Sequence, residues 1–190
     1  GLDNTSGCAL CASLGILGSR ELKRLNNAGF SRYHHNLETS REFYPSVCTT
    51  HRWEERYRTA CLAGEAGMSV CSGGIMGIGE TDLDRVKLAE NLRELQVDSI
   101  ALNFYVPVRG ARVKAQNLSP EKMLRVIGLF RMINPLAELR ICAGRDALGK
   151  KALEIFDFGA SGIMTGKLLT TPGTGLAGDM ELIARAGLTA

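Results

Sequence analysis

One rhythm runs along the chain: a short apolar run, a turn, then an amphipathic segment. The apolar runs predict strands at Ala9–Ala12, Ser31–Asn36, Ser69–Gly73, Ser99–Asn103, Leu139–Cys142 and Gly162–Thr165. Short apolar stretches bounded by turn residues have the form of strands buried in a parallel sheet. Between them the pattern predicts helices near Ser19–Ala28, Arg52–Ala66, Leu83–Leu95, Pro120–Ile133, Ala147–Phe156 and Asp179–Ala186. Ser119 before Pro120 is an N-cap followed by proline in the first turn, and Thr81 with Asp84 resembles a capping box. Met123, Val126, Ile127 and Phe130 recur at the spacing of one buried helix face. Gly29, Gly67 and Gly159 each stand where a helix ends and turns toward the next strand.

Strand–helix alternation at roughly 30–40 residues per unit implies a parallel α/β sheet. Six strands are too few for a complete eight-stranded barrel, which typically needs ~250 residues. The pattern therefore fits an open sheet or an incomplete barrel. Both folds gather their chemistry at the C-terminal ends of the strands. That brings Cys11–Gly15, Asn36–Ser40, Cys71–Glu80, Asn103–Arg109, Arg140–Arg145 and Thr165–Thr171 to one face.

Composition narrows the class. With 190 residues, 45% hydrophobic content and a net charge of only +3, the chain is too apolar to be disordered. It has no apolar run long enough for a membrane span, and its first residues do not read as a secretory leader. Its basic residues are scattered, so no nucleic-acid partner is expected. Six cysteines are too sparse for a disulfide scaffold. They point to a reducing, cytoplasmic setting and raise the question of metal or cluster ligation.

Cys11 and Cys71 each end a predicted strand on the expected functional face, where thiolates from different strands can meet at a metal or iron–sulfur cluster. A buried cysteine is also an ordinary small hydrophobe, and Cys61 reads as core. The Gly73–Glu80 segment is either a tight turn or a cradle for a nucleotide or phosphate. Alternation along a strand sets His34, Asn36 and Glu38 on one face and His35 on the other. Arg140 lies in an apolar strand and needs an anionic partner: a carboxylate, a cluster or a ligand. Arg56, on a helix, has solvent as its default partner. Lys167 is either an ordinary loop lysine or a Schiff-base lysine.

Six segments together resemble the biotin synthase family of radical S-adenosylmethionine enzymes: CASLG (11–15), YHHNLETSREFY (33–44), VCSGGIMGIGET (70–81), LNFYVPVRG (102–110), LRICAGR (139–145) and GKLLTTPG (166–173). The resemblance implies a single partial TIM-type (β/α)8 barrel over 1–190, about strands three to eight. It also implies sulfur insertion into dethiobiotin. A [4Fe–4S] cluster with S-adenosylmethionine would generate a 5′-deoxyadenosyl radical, and a [2Fe–2S] cluster would donate sulfur. Cys11, Cys71 and Arg140 match three of the four [2Fe–2S] ligand positions. Asn36 and Glu38 match ribose contacts, Arg56 the cofactor-carboxylate contact, and Ile75 and Gly77 a motif beside the adenine. Asn103 matches a substrate-ureido contact, and His34 replaces an Asn that contacts substrate in many relatives.

The family's CxxxCxxC is absent from these residues. The expectation is a chain that is inactive alone, with strands three and eight as open edges. The partner would be a second copy if the chain were complete, or a separate N-terminal half. A related radical enzyme acting on another small molecule, or a non-catalytic scaffold chain, are the alternative readings.

Overall fold

The computed structural model describes residues 9–108, 110, 116–166 and 175–189. Six strands form one sheet: β1 (Leu10–Ala12), β2 (Phe30–His34), β3 (Ser69–Met76), β4 (Ser99–Phe104), β5 (Glu138–Ile141) and β6 (Gly162–Ile163). They run in sequence order, and every neighbouring pair is parallel. Sequential parallel strands joined by helices are the arrangement of a TIM-type barrel. Here there are six of the eight strands of such a barrel, with β1 and β6 paired on one side only among the described residues.

The long connecting helices are α1 (Ser19–Asn27), α2 (Trp53–Glu65), α3 (Asp82–Glu94) and α4 (Pro120–Ile133), followed by the short α5 (Glu154–Asp157) and by α6 (Gly175–Arg185). The expected starts and stops are present. The Thr81 hydroxyl accepts from Asp84 N, and Asp84 accepts in return from Thr81 N. The Ser119 hydroxyl accepts from Lys122 N. Gly29, Gly67 and Gly159 all adopt positive φ. The Met123, Val126, Ile127 and Phe130 stripe of α4 is buried.

Strand alternation divides the molecule cleanly. Tyr33, Val70, Ile100, Leu102, Phe104, Leu139 and Ile141 point to the helices and join one hydrophobic core that runs from Ala12 to Ala160. The opposite pleat carries Cys11, His34, Cys71, Ser99, Ala101, Asn103, Arg140 and Cys142. There Cys71, Ala101 and Cys142 form a small buried cluster of their own. This second face is the concave inner face of the sheet, and its residues are small, sulfur-bearing or polar.

The strand expected over Gly162–Thr165 ends at Ile163, and the helix expected over Asp179–Ala186 is already formed at Gly175. Three further expectations change. The strand expected over Ser31–Asn36 ends at His34, so Asn36 and Glu38 lie beyond the ladder. The strand expected over Ser69–Gly73 continues to Met76. The helix expected over Ala147–Phe156 is instead a 3-10 segment, Arg145–Lys151, followed by α5, because Gly149 (φ 53°, ψ −122°) breaks the helical path. Strand extension through two glycines has a visible cause. A Cβ on Gly73 would stand 2.0 Å from the Ala101 carbonyl oxygen, and one on Gly74 would stand 2.3 Å from that of Glu38. Only glycine lets these backbones approach so closely.

Candidate functional site

The inner face is organised around Cys71. His34 is its register partner on β2 and Ser99 its partner on β4. His34 Nδ1 lies 3.0 Å from the Cys71 sulfur. Arg140 reaches across from β5, donating through Nη2 to the same sulfur at 3.0 Å and through Nε to Ser99 Oγ at 2.8 Å. Gly162 on β6 leaves room for it, since a Cβ there would sit 3.3 Å from Arg140 Cγ. The partner required for Arg140 is thus a buried sulfur. Burial pushes the Cys71 thiol up, while the Arg140 guanidinium pulls it down. Burial, then Arg140 and Arg56, hold His34 below the ordinary histidine range, which favours neutral imidazole. Burial drives Cys142 up to about 11. Cys11 is exposed at β1, its thiol raised by partial burial and by Cys71.

A second group forms where the chain leaves β2. Glu38 adopts φ 70°, and its backbone bridges to Gly74 of β3. Glu38 O accepts from Ile75 N at 2.8 Å. Arg56 of α2 turns inward rather than into solvent. Its Nε donates to the Asn36 carbonyl at 2.7 Å and its Nη2 to Glu38 Oε1 at 2.8 Å. The solvated default for a helical arginine therefore fails here, because the chain turn at Asn36–Glu38 supplies two acceptors at the α2 face. Two acceptors stay open: Asn36 Oδ1 and Glu38 Oε2 are buried without a protein partner.

The third group is the turn after β3. Gly77 N and Ile78 N donate to the two carboxylate oxygens of Glu80, both at 2.8 Å. Arg85 of α3 donates to the same carboxylate through Nε at 2.7 Å. The turn's amides are therefore committed to the chain's own anion. The Gly77 and Ile78 amides are closed to a phosphate, while the turn keeps its shape as a wall. Gly77 (φ 93°) packs against the chain at Gln116, whose carbonyl would lie 2.8 Å from an added Cβ.

Asn103 ties the strand ends together, donating to Gly74 O at 3.4 Å and accepting from Ala143 N at 3.2 Å. The long first bond is weak by geometry. So the structure gathers His34, Cys71 and Arg140 into direct contact, gathers Asn36, Glu38 and Arg56 into another, and pairs Ile75 of β3 with Asn103 of β4 at the strand ends, with Gly77 in the turn just after β3. Cys11 shares the inner face without a direct bond to Cys71 among those described. Among the described residues, no three His, Cys, Asp or Glu side chains are already placed to hold a metal ion. Lys167 lies outside the described residues. Sequence reasoning missed Ser99 and Glu80. A serine in an apolar strand opposite an arginine could have signalled the first, and a carboxylate three residues after a glycine turn the second.

Comparison with known proteins agrees with this architecture. Residues 7–92 match the radical SAM superfamily and residues 101–189 match the biotin and thiamin synthesis associated domain. The biotin synthase of Maridesulfovibrio salexigens is 47% identical over 180 residues, covering 94% of this chain and 55% of that protein. That of Clostridium perfringens is 48% identical over 182 residues, covering 94% and 56%. The chain thus spans a little over half the length of the curated relatives it matches. Among solved structures, methylornithine synthase superposes with a TM-score of 0.77 at 17% identity, over 96% of this chain and 59% of that one. The FeFe-hydrogenase maturase of Carboxydothermus hydrogenoformans superposes at 0.74 and 15%, over 95% and 47%. These two show a shared fold. Over nearly all of its length the chain is thus similar to the biotin synthases, with one part matching the radical SAM superfamily and the other the biotin and thiamin synthesis associated domain.

Proposed function

We propose that this chain supplies the strand-three-to-eight portion of a biotin synthase, a single barrel portion that takes part in sulfur insertion into dethiobiotin. The observation that carries the reading is the Arg140 guanidinium held on the Cys71 sulfur inside the sheet, with no carboxylate in the contact. An arginine that turns to sulfur suits an electron-rich, sulfide-bearing group, and soft thiol donors suit iron–sulfur chemistry. Cys11, Cys71 and Arg140 would hold a [2Fe–2S] cluster.

The second group fits S-adenosylmethionine. Asn36 Oδ1 and Glu38 Oε2 are open, buried acceptors, suited to the two hydroxyls of a ribose. Arg56 is a cation suited to the cofactor's carboxylate. Ile75 and Gly77 line the strand end beside them, where an adenine needs flat apolar surface and close backbone approach. S-adenosylmethionine with a [4Fe–4S] cluster would supply a carbon-centred radical, and a [2Fe–2S] cluster held by Cys11, Cys71 and Arg140 would supply sulfur.

This chain's own part is to orient and to enclose. His34 and Ser99 fix Cys71 and Arg140 from either side. Asn103 presents an amide at the strand ends, suited to a ureido group, though both its ends are engaged within the chain. His34 is engaged with Cys71, which makes it a support for that sulfur more than a free substrate contact. The substrate is a small molecule.

Anaerobic co-expression with a polypeptide bearing the family's CxxxCxxC segment tests the reading. Biotin formed from dethiobiotin supports it, and no biotin with both clusters assembled overturns it. Iron and sulfide content after reconstitution tests the ligands: Cys71→Ala and Arg140→Ala should each change the cluster absorbance, and unchanged spectra refute the assignment.

A further inference from the structure

Arg56 also touches a cluster that none of this chemistry uses. Its Nη1 lies 3.4 Å from His51 Nε2, which is 2.8 Å from the Tyr44 hydroxyl. A guanidinium can only donate, so Nε2 accepts and the imidazole proton sits on Nδ1. That nitrogen is 3.0 Å from Thr50 Oγ1 and 3.6 Å from the Cys48 sulfur. Thr50 Oγ1 is itself 3.4 Å from the same sulfur. Cys48 is half-exposed, and with Tyr44, Thr50 and His51 it lines a groove of about 810 Å³.

We propose that Cys48 is a thiol–disulfide exchange site, its sulfur activated by the Thr50–His51 pair and reached by low-molecular-weight disulfides through this groove. The proposal stands apart from the cofactor reading, since it needs only the cluster and the groove. Hydrogen bonding led by Thr50, with the backbone amides of Thr50 and His51, outweighs burial and brings the thiol down to about 7, while the Tyr44 hydroxyl donates to His51 Nε2. The other described cysteines go the opposite way. Burial raises Cys11, Cys61, Cys71 and Cys142, and Cys71 and Cys142 are also closed to solvent.

The step balances simply. The Cys48 thiol first gives its proton to solvent. The thiolate then attacks one sulfur of the disulfide; a new S–S bond forms, the old one breaks, and the leaving thiolate takes up a proton. No outside oxidant is needed beyond the disulfide itself. The adduct would sit one imidazole away from the Arg56–Glu38 pair.

Two measurements on the intact chain test this. Iodoacetamide alkylation followed across pH by peptide mass spectrometry should give Cys48 a midpoint near 7. A thiol at 7 has about fifty times more thiolate at pH 7 than one at 9.0, but loses nearly tenfold in intrinsic nucleophilicity, so Cys48 should label about fivefold faster than an unshifted thiol. Oxidised glutathione should add one glutathionyl group, on the Cys48 peptide. Thr50→Val should raise the midpoint and Thr50→Ser should keep it low. A Cys48 midpoint near 9, a glutathionyl group found first on Cys11 or Cys61, or a folded Thr50→Val chain with an unmoved midpoint overturns the proposal. Should Thr50→Val fail to fold, the midpoint of the unsubstituted chain decides alone.

Discussion

Replacing Glu80 with alanine removes the keystone of the turn after β3. Its side chain is 1% exposed and that of Arg85 is 3% exposed, and the two form an ion pair at 2.6 Å. Removing one partner of a buried ion pair costs about 3–5 kcal/mol, because the remaining charge stays buried without compensation. Arg85 keeps bonds to Asp82 and, at 3.2 Å, to Gln116, which pulls the charge cost toward the lower figure. Against this, Gly77 N and Ile78 N both lose their acceptor, and each unsatisfied buried donor costs about 1–3 kcal/mol. The net expectation for Glu80→Ala is a loss of at least about 5 kcal/mol. In a chain of this size that is roughly 10–20 °C in thermal midpoint. Glu80→Gln keeps one acceptor oxygen and should lose about half as much. Urea unfolding followed by far-UV circular dichroism reads the loss. A double-mutant cycle with Arg85→Met isolates the pair. A loss under about 1 kcal/mol, or no coupling between the two sites, would refute the reasoning.

Gly74→Ala should force Glu38 away from β3, since its Cβ would meet the Glu38 carbonyl at 2.3 Å; overpacking of this kind costs about 1–3 kcal/mol, and unchanged urea stability would count against it. Burial, then the nearby Arg56, His34 and His51, lowers His35 to about 4 from 6.5, so the unfolded chain binds this proton at higher pH than the folded one. The stability it contributes is full above pH 6.5 and drains away toward pH 4, about 2 kcal/mol being gone by pH 5. His35→Gln should flatten that part of the stability–pH curve, and an unaltered slope would refute the assignment. Asn134 is 6% exposed and donates to Ala89 O of α3 at 3.0 Å; Asn134→Ala should cost about 1–3 kcal/mol, measured by the same unfolding, and a neutral result would show that water replaces it.

Most of the fold was legible because its signals are local. Ser119, Thr81 and the glycines at 29, 67 and 159 act within one turn of chain, and the α4 stripe repeats at helical spacing. Inner and outer strand faces were also legible, since alternation alone separates Cys71, Ala101 and Asn103 from Val70, Ile100 and Leu102. What escaped was non-local. Nothing near Gly73 or Gly74 in sequence says that Ala101 and Glu38 press against them, so β3 read three residues short. Nothing near Arg145 says that Gly149 will take φ 53°, so a helical pattern survived where the chain kinks.

The site divides along the same line. Arg140 was legible as a residue in need of a partner, because a charge in an apolar strand is a conflict visible in one dimension, but only pairing register could name that partner as Cys71. Arg56 shows the reverse. On its own helix it reads as solvated, and only the turn at Asn36–Glu38, 18 to 20 residues away, converts it into a half-buried cation bonded to a carbonyl and a carboxylate. The family resemblance located both arginines without either argument. What the structure adds is the reason each position tolerates its charge: a sulfur and a serine hydroxyl for one, a carbonyl and a carboxylate for the other. That distinction has a consequence. Arg56 is satisfied by the chain itself, so its neighbourhood should stay ordered without a ligand. Arg140 rests on a sulfur that burial keeps as a thiol, so the inner face should gain order when an anionic, sulfide-bearing group binds. Amide hydrogen exchange at Cys71 and Ile141 compared with that at Glu38 and Ile75, before and after anaerobic iron–sulfide reconstitution, separates the two. Equal gains in protection at both groups would refute the distinction.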